Sequence, residues 1–327
     1  MMKGRNILAL LVWSVMVFFC SFGQVNAEES KATESYELRW GTTKAGGSWL
    51  IIGNAVLEDI KKAYPNITGS TLPGTSTANP IGVHTGKMNI AFGNADNTAL
   101  GWNGERQFKK IGKIRDIRNV LAVFPLTTHI VVRANSDIRK IEDLKGKRVS
   151  VGPKGFSNNT EFARLLKFYG MSYDDMKMQF LSPMDAAQQF IDGHLDCLAF
   201  VVVPPPYPVI INAAASREVR FLSIPDDKVE KMLQYAGVGK YTLPPGVYQG
   251  QDYPIKGILT VTHLMVHKDM PDWVVRAVLK TYLNNFERYK KVLSAVKFMK
   301  KENICMDVGI PFHPAAIQYY KEIGYMK

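Results

Sequence analysis

Short apolar runs alternate with amphipathic stretches along almost the whole chain, and no other feature narrows the possible folds as much. Residues 37–41 read as a strand that ends in the turn Thr42-Thr43-Lys44-Ala45-Gly46-Gly47. Leu50, Ile51, Val56, Leu57 and Ile60 then recur at helical spacing, with Ser48 placed to cap the helix and Pro65 beyond its end. Residues 89–93 form a second short strand, followed by the polar Asn94, Asp96 and Asn97. Residues 120–124 and 129–133 make a further strand region and 148–152 another. Residues 160–169 read as a helix with Phe162, Leu165, Leu166 and Tyr169 on its apolar side. Ser182-Pro183-Met184-Asp185 combines a hydroxyl cap, a proline at the first helical position and an acid three residues on. Gly193 ends that helix before the apolar strand 195–203, and residues 271 to about 295 read as one long amphipathic helix. Short apolar strands between helices argue for α/β layers with covered sheets.

The N-terminus carries a different signal. Lys3 and Arg5 precede the apolar run 7–19, and Val25-Asn26-Ala27 offers small residues where a signal peptidase reads. This is the layout of a cleaved secretory signal over residues 1–27. The run is shorter than the roughly 20 residues a spanning helix needs. Bulky Phe18 and Phe19 before Cys20 argue against a lipid anchor. The chain left, 28–327, is long enough for two lobes in an extracytoplasmic, periplasmic protein. The full chain's formal charge of +12 drops by two when Lys3 and Arg5 leave. A basic balance suits nucleic acid, an anionic surface or an anionic ligand. The lysines are spread along the chain without a zinc-finger or stacked-aromatic module, which argues against nucleic acid. Cys197 and Cys305 remain. Two cysteines are not a disulfide framework, and both read as free.

Catalytic signatures are missing: there is no HExxH, CxxC, P-loop or GxSxG. His263 and His267 lie on one face of an expected strand, about 13 Å apart, too far for one metal. No nucleophile has a matched base, so no enzyme activity, metal or cofactor is expected. Polar loops at helix starts recur instead. Gly46-Gly47-Ser48 opens one helix. Pro73-Gly74-Thr75-Ser76-Thr77 leads to Asn79-Pro80, and Gly152-Pro153-Lys154-Gly155-Phe156-Ser157-Asn158-Asn159-Thr160 precedes a third. Free N–H groups and the positive end of a helix favour a carboxylate or phosphate there. The segment 203–208, with Pro204-Pro205-Pro206 and Tyr207, follows a buried strand, where an α/β fold places binding loops.

With these segments in view, the chain resembles the TAXI group of TRAP transporter solute receptors over roughly residues 36–327. The resemblance rests on Trp40-Gly41-Thr42-Thr43 with Gly46-Gly47-Ser48-Trp49, on the segment 141–152 containing Asp143-Leu144-Lys145-Gly146-Lys147-Arg148-Val149, and on Asp192-Gly193-His194-Leu195-Asp196. Leu243-Pro244-Pro245-Gly246-Val247-Tyr248 and the segment 312–320 are similar to its late motifs. The resemblance implies a two-lobed type II periplasmic-binding-protein fold with a central ligand cleft. One lobe would hold residues 36–123 with 257–327, the other 124–256. It implies a small carboxylate ligand, such as glutamate or a dicarboxylate, and delivery to a TRAP permease driven by an ion gradient. Thr43, Gly47, Ser48 and Trp49 would form the first wall, with Thr75, Ser76, Asn94 and Asp96 adding polar contacts. Asn158, Asn159 and Thr160 would bind from the second lobe, and Pro205 and Tyr207 would line the far side. The bulkier second-lobe loop and the triple proline depart from the family pattern, and Lys154 either pairs with a second carboxylate or points to solvent. An exported sensor module for a membrane kinase is the alternative reading. A monomer is the simplest assembly.

Overall fold

The computed structural model describes residues 34–43, 47–154, 156–235 and 237–327. The expected signal at 1–27, and Lys44, Ala45, Gly46 and Gly155 of the expected loops, lie outside them. The first lobe opens with β1 (Tyr36–Gly41), α1 (Ser48–Ala63), β2 (Ile67–Leu72), α2 (Ala78–His84), β3 (Ile90–Asn94) and α3 (Ala95–Asn103). β1 pairs in parallel with both β2 and β3, and the intervening helices supply the crossovers that parallel pairing requires. Leu38 and Trp40 of β1 are fully buried, and α1 lays Ile52, Val56 and Ile60 into the same core. Gly53 permits the close seat of α1: a Cβ there would stand 3.0 Å from Thr42 Cγ2 and 3.1 Å from the Phe92 ring.

β4 (Ile117–Arg133) follows as one continuous strand where the sequence suggested two. The second lobe then runs through β5 (Arg148–Ser150), α4 (Ser157–Lys167), β6 (Lys177–Gln179), α5 (Pro183–Ile191), β7 (Cys197–Val203), α6 (Pro208–Ser216), β8 (Val219–Leu222), α7 (Asp226–Met232) and β9 (Gly239–Leu243). β10 (Ile255–His267) returns the chain to the first lobe, which closes with α8 (Asp272–Asn284), α9 (Phe286–Val292) and α10 (Pro314–Glu322). Among the described residues the strands form one sheet, ordered β2-β1-β3-β10-β4-β7-β5-β6, with β8 beside β4 and β9 beside β10.

The antiparallel pair β4–β10 serves both lobes. The start of β4 meets the end of β10, which also pairs with β3. The end of β4 takes β7 and β8, and the start of β10 takes β9. The middle of β4 is buried, with Leu126, Thr127 and Thr128 almost without exposure. Gly257 lets β10 pass close by, since a Cβ there would stand 2.6 Å from the Thr128 Cβ. Two α/β lobes joined by this strand pair, with a central cleft between them, make a periplasmic-binding-protein-like fold.

Three local expectations change. The helix expected over 271 to about 295 is divided between α8 and α9. The Asn285 side chain donates to the Thr281 carbonyl at 3.0 Å, a local bond that competes with helix continuation, while Tyr282, Phe286 and Tyr289 keep the helical spacing across the break. α4 begins at Ser157, three residues before the expected start. Gly47, not Ser48, occupies the cap position of α1, and no side chain caps that helix. The cap at Ser182 forms as expected, its hydroxyl accepting from the Asp185 N–H.

Candidate functional site

The carboxyl ends of parallel strands β1, β3 and β5 lead directly into the loops that start α1, α3 and α4, the position where open α/β sheets bind ligands. On the first lobe, Thr43 stands two residues past the end of β1 with a buried Oγ1 that has no partner. Gly47 and Ser48 follow at the start of α1, both half-buried. Trp49 follows in the first turn of α1. It is buried, its indole N–H donates to Thr262 Oγ1 at 3.1 Å, and its ring packs on Phe92 with centroids 6.2 Å apart. Asn79, which the sequence reading noted only as a helix start, ties the two strand ends together by donating to the carbonyls of Thr42 and Phe92. Thr75 is exposed and its hydroxyl accepts from the Ala78 N–H at 3.0 Å, capping α2. The Ser76 carbonyl accepts from the Asn97 side chain.

On the second lobe, Ser150 ends β5 with a buried Oγ that also lacks a partner. Asn158 is buried and Thr160 half-buried in the first turn of α4. Asn159 turns back on its own loop, its amide donating to the carbonyls of Val151 and Pro153 at 3.2 and 3.1 Å. The Lys154 ammonium lies 5.0 Å from the Phe180 ring centroid and its residue is exposed. Pro205 is buried and Tyr207 half-buried ahead of α6. The Tyr207 N–H donates to the Tyr248 hydroxyl at 2.8 Å, and that hydroxyl bonds His129 Nε2 at 2.8 Å. His129 Nδ1 faces the Thr127 carbonyl at 3.0 Å, so Nδ1 carries the hydrogen and Nε2 accepts from Tyr248. Burial pushes His129 down to about 4, keeping it neutral, and Tyr207 up to about 12. Tyr248→Phe should therefore leave both the Tyr207 N–H and His129 Nε2 unpaired. The expected cost is about 1–3 kcal/mol in urea denaturation.

Polar side chains of the two lobes approach one another at the starts of α3 and α4. Asn94, at the end of β3, donates from Nδ2 to Ser157 Oγ at 3.0 Å, and its Oδ1 is buried and unpartnered. Asp96, in the first turn of α3, is near enough to Glu161 on α4 for each carboxyl to influence the other's ionisation. Glu161 accepts from Arg164 at 2.5 Å, and Asp96 accepts from the Thr260 hydroxyl at 3.2 Å. Burial, then the neighbouring Asp96 carboxylate, pushes Glu161 up to about 8. Burial also raises Asp96, against the lowering effect of Arg164.

Sequence reasoning missed Ser150, Glu161, Arg164 and Thr260. A signal existed for Glu161: it stands four residues before Leu165 and beside Phe162, on the apolar side of α4. Of the expected residues, Asn94 and Asp96 reach the junction with the second lobe. Thr75 and Asn159 serve their own loops. A 320 Å³ cavity opens between Tyr235, residues 237–239, β10 and Met306, Asp307 and Gly309, but none of the expected residues lines it and none of its side chains is a buried polar group without a partner. Among the described residues, no group of three or more His, Cys, Asp or Glu is arranged to hold a metal.

The comparisons with known proteins place the chain more firmly. A protein of Escherichia coli (strain K12) described as binding aliphatic sulfonates is 35% identical over 96 residues, which is 29% of this chain and 29% of that relative. Among solved structures, the periplasmic aliphatic sulphonate binding protein SsuA from Escherichia coli superposes with a TM-score of 0.52 at 18% identity, covering 89% of this chain and 79% of that one. A periplasmic sulfonate-binding protein of a sulfonate ABC transporter from Methylobacillus flagellatus KT gives 0.50 at 15% identity, covering 90% and 88%. These structures support the fold.

The resemblance to TAXI receptors is thereby corrected, and with it the TRAP permease as partner. The motifs that suggested it do structural work. Asp143 accepts from the N–H groups of Arg139 and Lys140, Leu144 is fully buried, and Gly146 holds a left-handed φ of 72°. Asp196 receives the backbone N–H and guanidinium of Arg148. Such residues report a two-lobed fold rather than a transporter class. The family match runs over residues 40–324, and the chain belongs to the NMT1-like family.

Proposed function

We propose that this chain is the receptor of an ABC-type importer for a small organic anion of the sulfonate kind. The protein is an exported, periplasmic solute-binding protein and carries out no catalysis. The observation that carries the ligand class is a pair of buried hydroxyls without partners: Thr43 Oγ1, two residues past β1 on one lobe, and Ser150 Oγ at the end of β5 on the other. Hydroxyls there, with the first-turn N–H groups of α1, α3 and α4, offer donors from several directions to an anion with three acceptor oxygens. The short stretch shared with the Escherichia coli relative described as binding aliphatic sulfonates supports the same class. In this reading Thr43, Gly47, Ser48, Asn94, Ser150, Asn158 and Thr160 surround the charged group. Trp49, Pro205 and Tyr207 shape the wall for an alkyl part. Thr75, Ser76 and Asn159 brace the loops. The lobes divide at 123/124 and 256/257, close on the ligand by hinge motion, and present it to an ABC permease with its ATPase.

A thermal-shift series tests this on the exported chain stripped of ligand. Short alkanesulfonates should raise Tm, with about 2.7 kcal/mol of added stability at a hundredfold excess over Kd. Glutamate and dicarboxylates should shift it less. A series in which only carboxylates stabilise the protein would remove the sulfonate assignment.

A further inference from the structure

We infer that the two lobes are latched by a proton held between Asp96 and Glu161, so that rising pH opposes closure of the cleft. Asp96 belongs to α3 of the first lobe and Glu161 to α4 of the second, and the Asn94 amide, two residues before Asp96, bonds Ser157 at the start of α4, so parting the lobes would part the two carboxyls. The residues are 1% and 0% exposed. Each carboxyl has one oxygen engaged: Asp96 Oδ1 by Thr260 and Glu161 Oε1 by Arg164. Asp96 Oδ2 and Glu161 Oε2 are buried with no partner. Two ionised carboxylates meeting in this way would repel each other. A single proton turns the contact into a charge-assisted hydrogen bond.

The surrounding charges leave room for that proton. Among the described residues Arg164 is the cation acting on both carboxyls, so the ionised triad would bury one excess negative charge. The other side of Arg164 is occupied by the Tyr235 ring, 4.2 Å from the guanidinium carbon to the ring centroid. α7, packed against α4, carries Asp226, Asp227 and Lys228. Asp226 pairs with Lys256 and Lys240, and Asp227 with Lys228, whose ammonium also lies over Tyr169. β7 contributes Cys197, whose thiol burial holds protonated. β10, packed against α3, contributes His263, which burial keeps neutral between Asn119 and Thr98. None of these groups supplies a second positive charge to the pair.

The linkage has a definite sign. When the lobes part, both carboxyls meet water and return toward their ordinary range, whereas in the closed form Glu161 is pushed up to about 8. The stabilisation of the closed form is complete below the ordinary carboxyl range and is lost as pH rises through about 8. Between these limits the closing equilibrium should fall roughly tenfold per pH unit.

The test needs no ligand, so it stands apart from the receptor assignment. Small-angle X-ray scattering on the exported chain at pH 6 and pH 9 reads the opening of the lobes, with circular dichroism confirming the fold at both. The wild type should have a larger radius of gyration at pH 9. Glu161→Gln keeps a donor toward Asp96 without a titrating proton and should stay compact at both values. Asp96→Asn carries the same expectation should the first variant fail to fold. A wild-type radius that is the same at pH 6 and pH 9 overturns the inference. So does a folded variant that opens as the wild type does.

Discussion

Replacing Arg164 with methionine should lower the unfolding free energy by about 3–5 kcal/mol at neutral pH, the range for breaking a buried ion pair by removing one partner. Arg164 is almost wholly buried, bonds Glu161 at 2.5 Å and offsets the charge of Asp96. Methionine retains an unbranched apolar stem against Tyr235, so the loss reports charge rather than a large cavity. What remains is two buried carboxyls without a cation. Guanidinium denaturation at two pH values should show the cause. The native variant can shed its buried negative charge only by taking up protons, so its deficit should shrink toward pH 5 and grow toward pH 9. Adding Glu161→Gln should return a large part of the stability, because it removes one of the stranded charges. A single-variant loss below about 1 kcal/mol would mean that water reaches and screens the cluster.

That cluster also marks where the sequence stops being readable. The β1–α1 unit, the cap at Ser182, the stop at Gly193 and the buried strand around Cys197 were legible because each depends on neighbours within a few residues. The continuity of β4 was not. Pro125 divides its apolar run, and a proline within a strand pattern ordinarily signals an end or an edge. Here the strand carries it opposite Val261 of β10, beside shifts of register. Glu161 and Arg164 interrupt the apolar face of α4, but Asp96, which makes sense of them, is 65 positions upstream and comes near only when the lobes meet. Loop polarity was ambiguous for another reason. The hydroxyl of Thr75 and the amide of Asn159 look the same in sequence whether they hold a ligand or their own backbone, and they hold backbone. Ser150, inside a short strand, gave no loop signal at all. The transporter class was misread because segments such as 141–152 satisfy the needs of the lobe itself.

Ser150→Ala and Thr43→Val should produce the largest effects on ligand affinity. Each removes a buried hydroxyl that has no partner in the free protein and that, in the proposed site, donates to the bound anion. A hydrogen bond to a charged group contributes about 1.5–3 kcal/mol, so each change should weaken Kd by roughly 10- to 150-fold. The two hydroxyls sit on opposite lobes, at the end of β5 and just past β1, so in the double variant the losses should add unless the anion shifts toward one wall. The free proteins provide an internal control. Deleting an unsatisfied buried hydroxyl relieves a desolvation cost, so stability without ligand should hold or rise while affinity falls. Thr75→Val should do the reverse: it loses a helix cap, at about 1 kcal/mol, and leaves affinity nearly unchanged. Isothermal titration with the alkanesulfonate giving the largest thermal shift distinguishes these outcomes. A Ser150→Ala protein that binds within twofold of wild type would remove the second lobe's strand end from the site, and that lobe would then hold the anion through Asn158, Thr160 and the first turn of α4 alone.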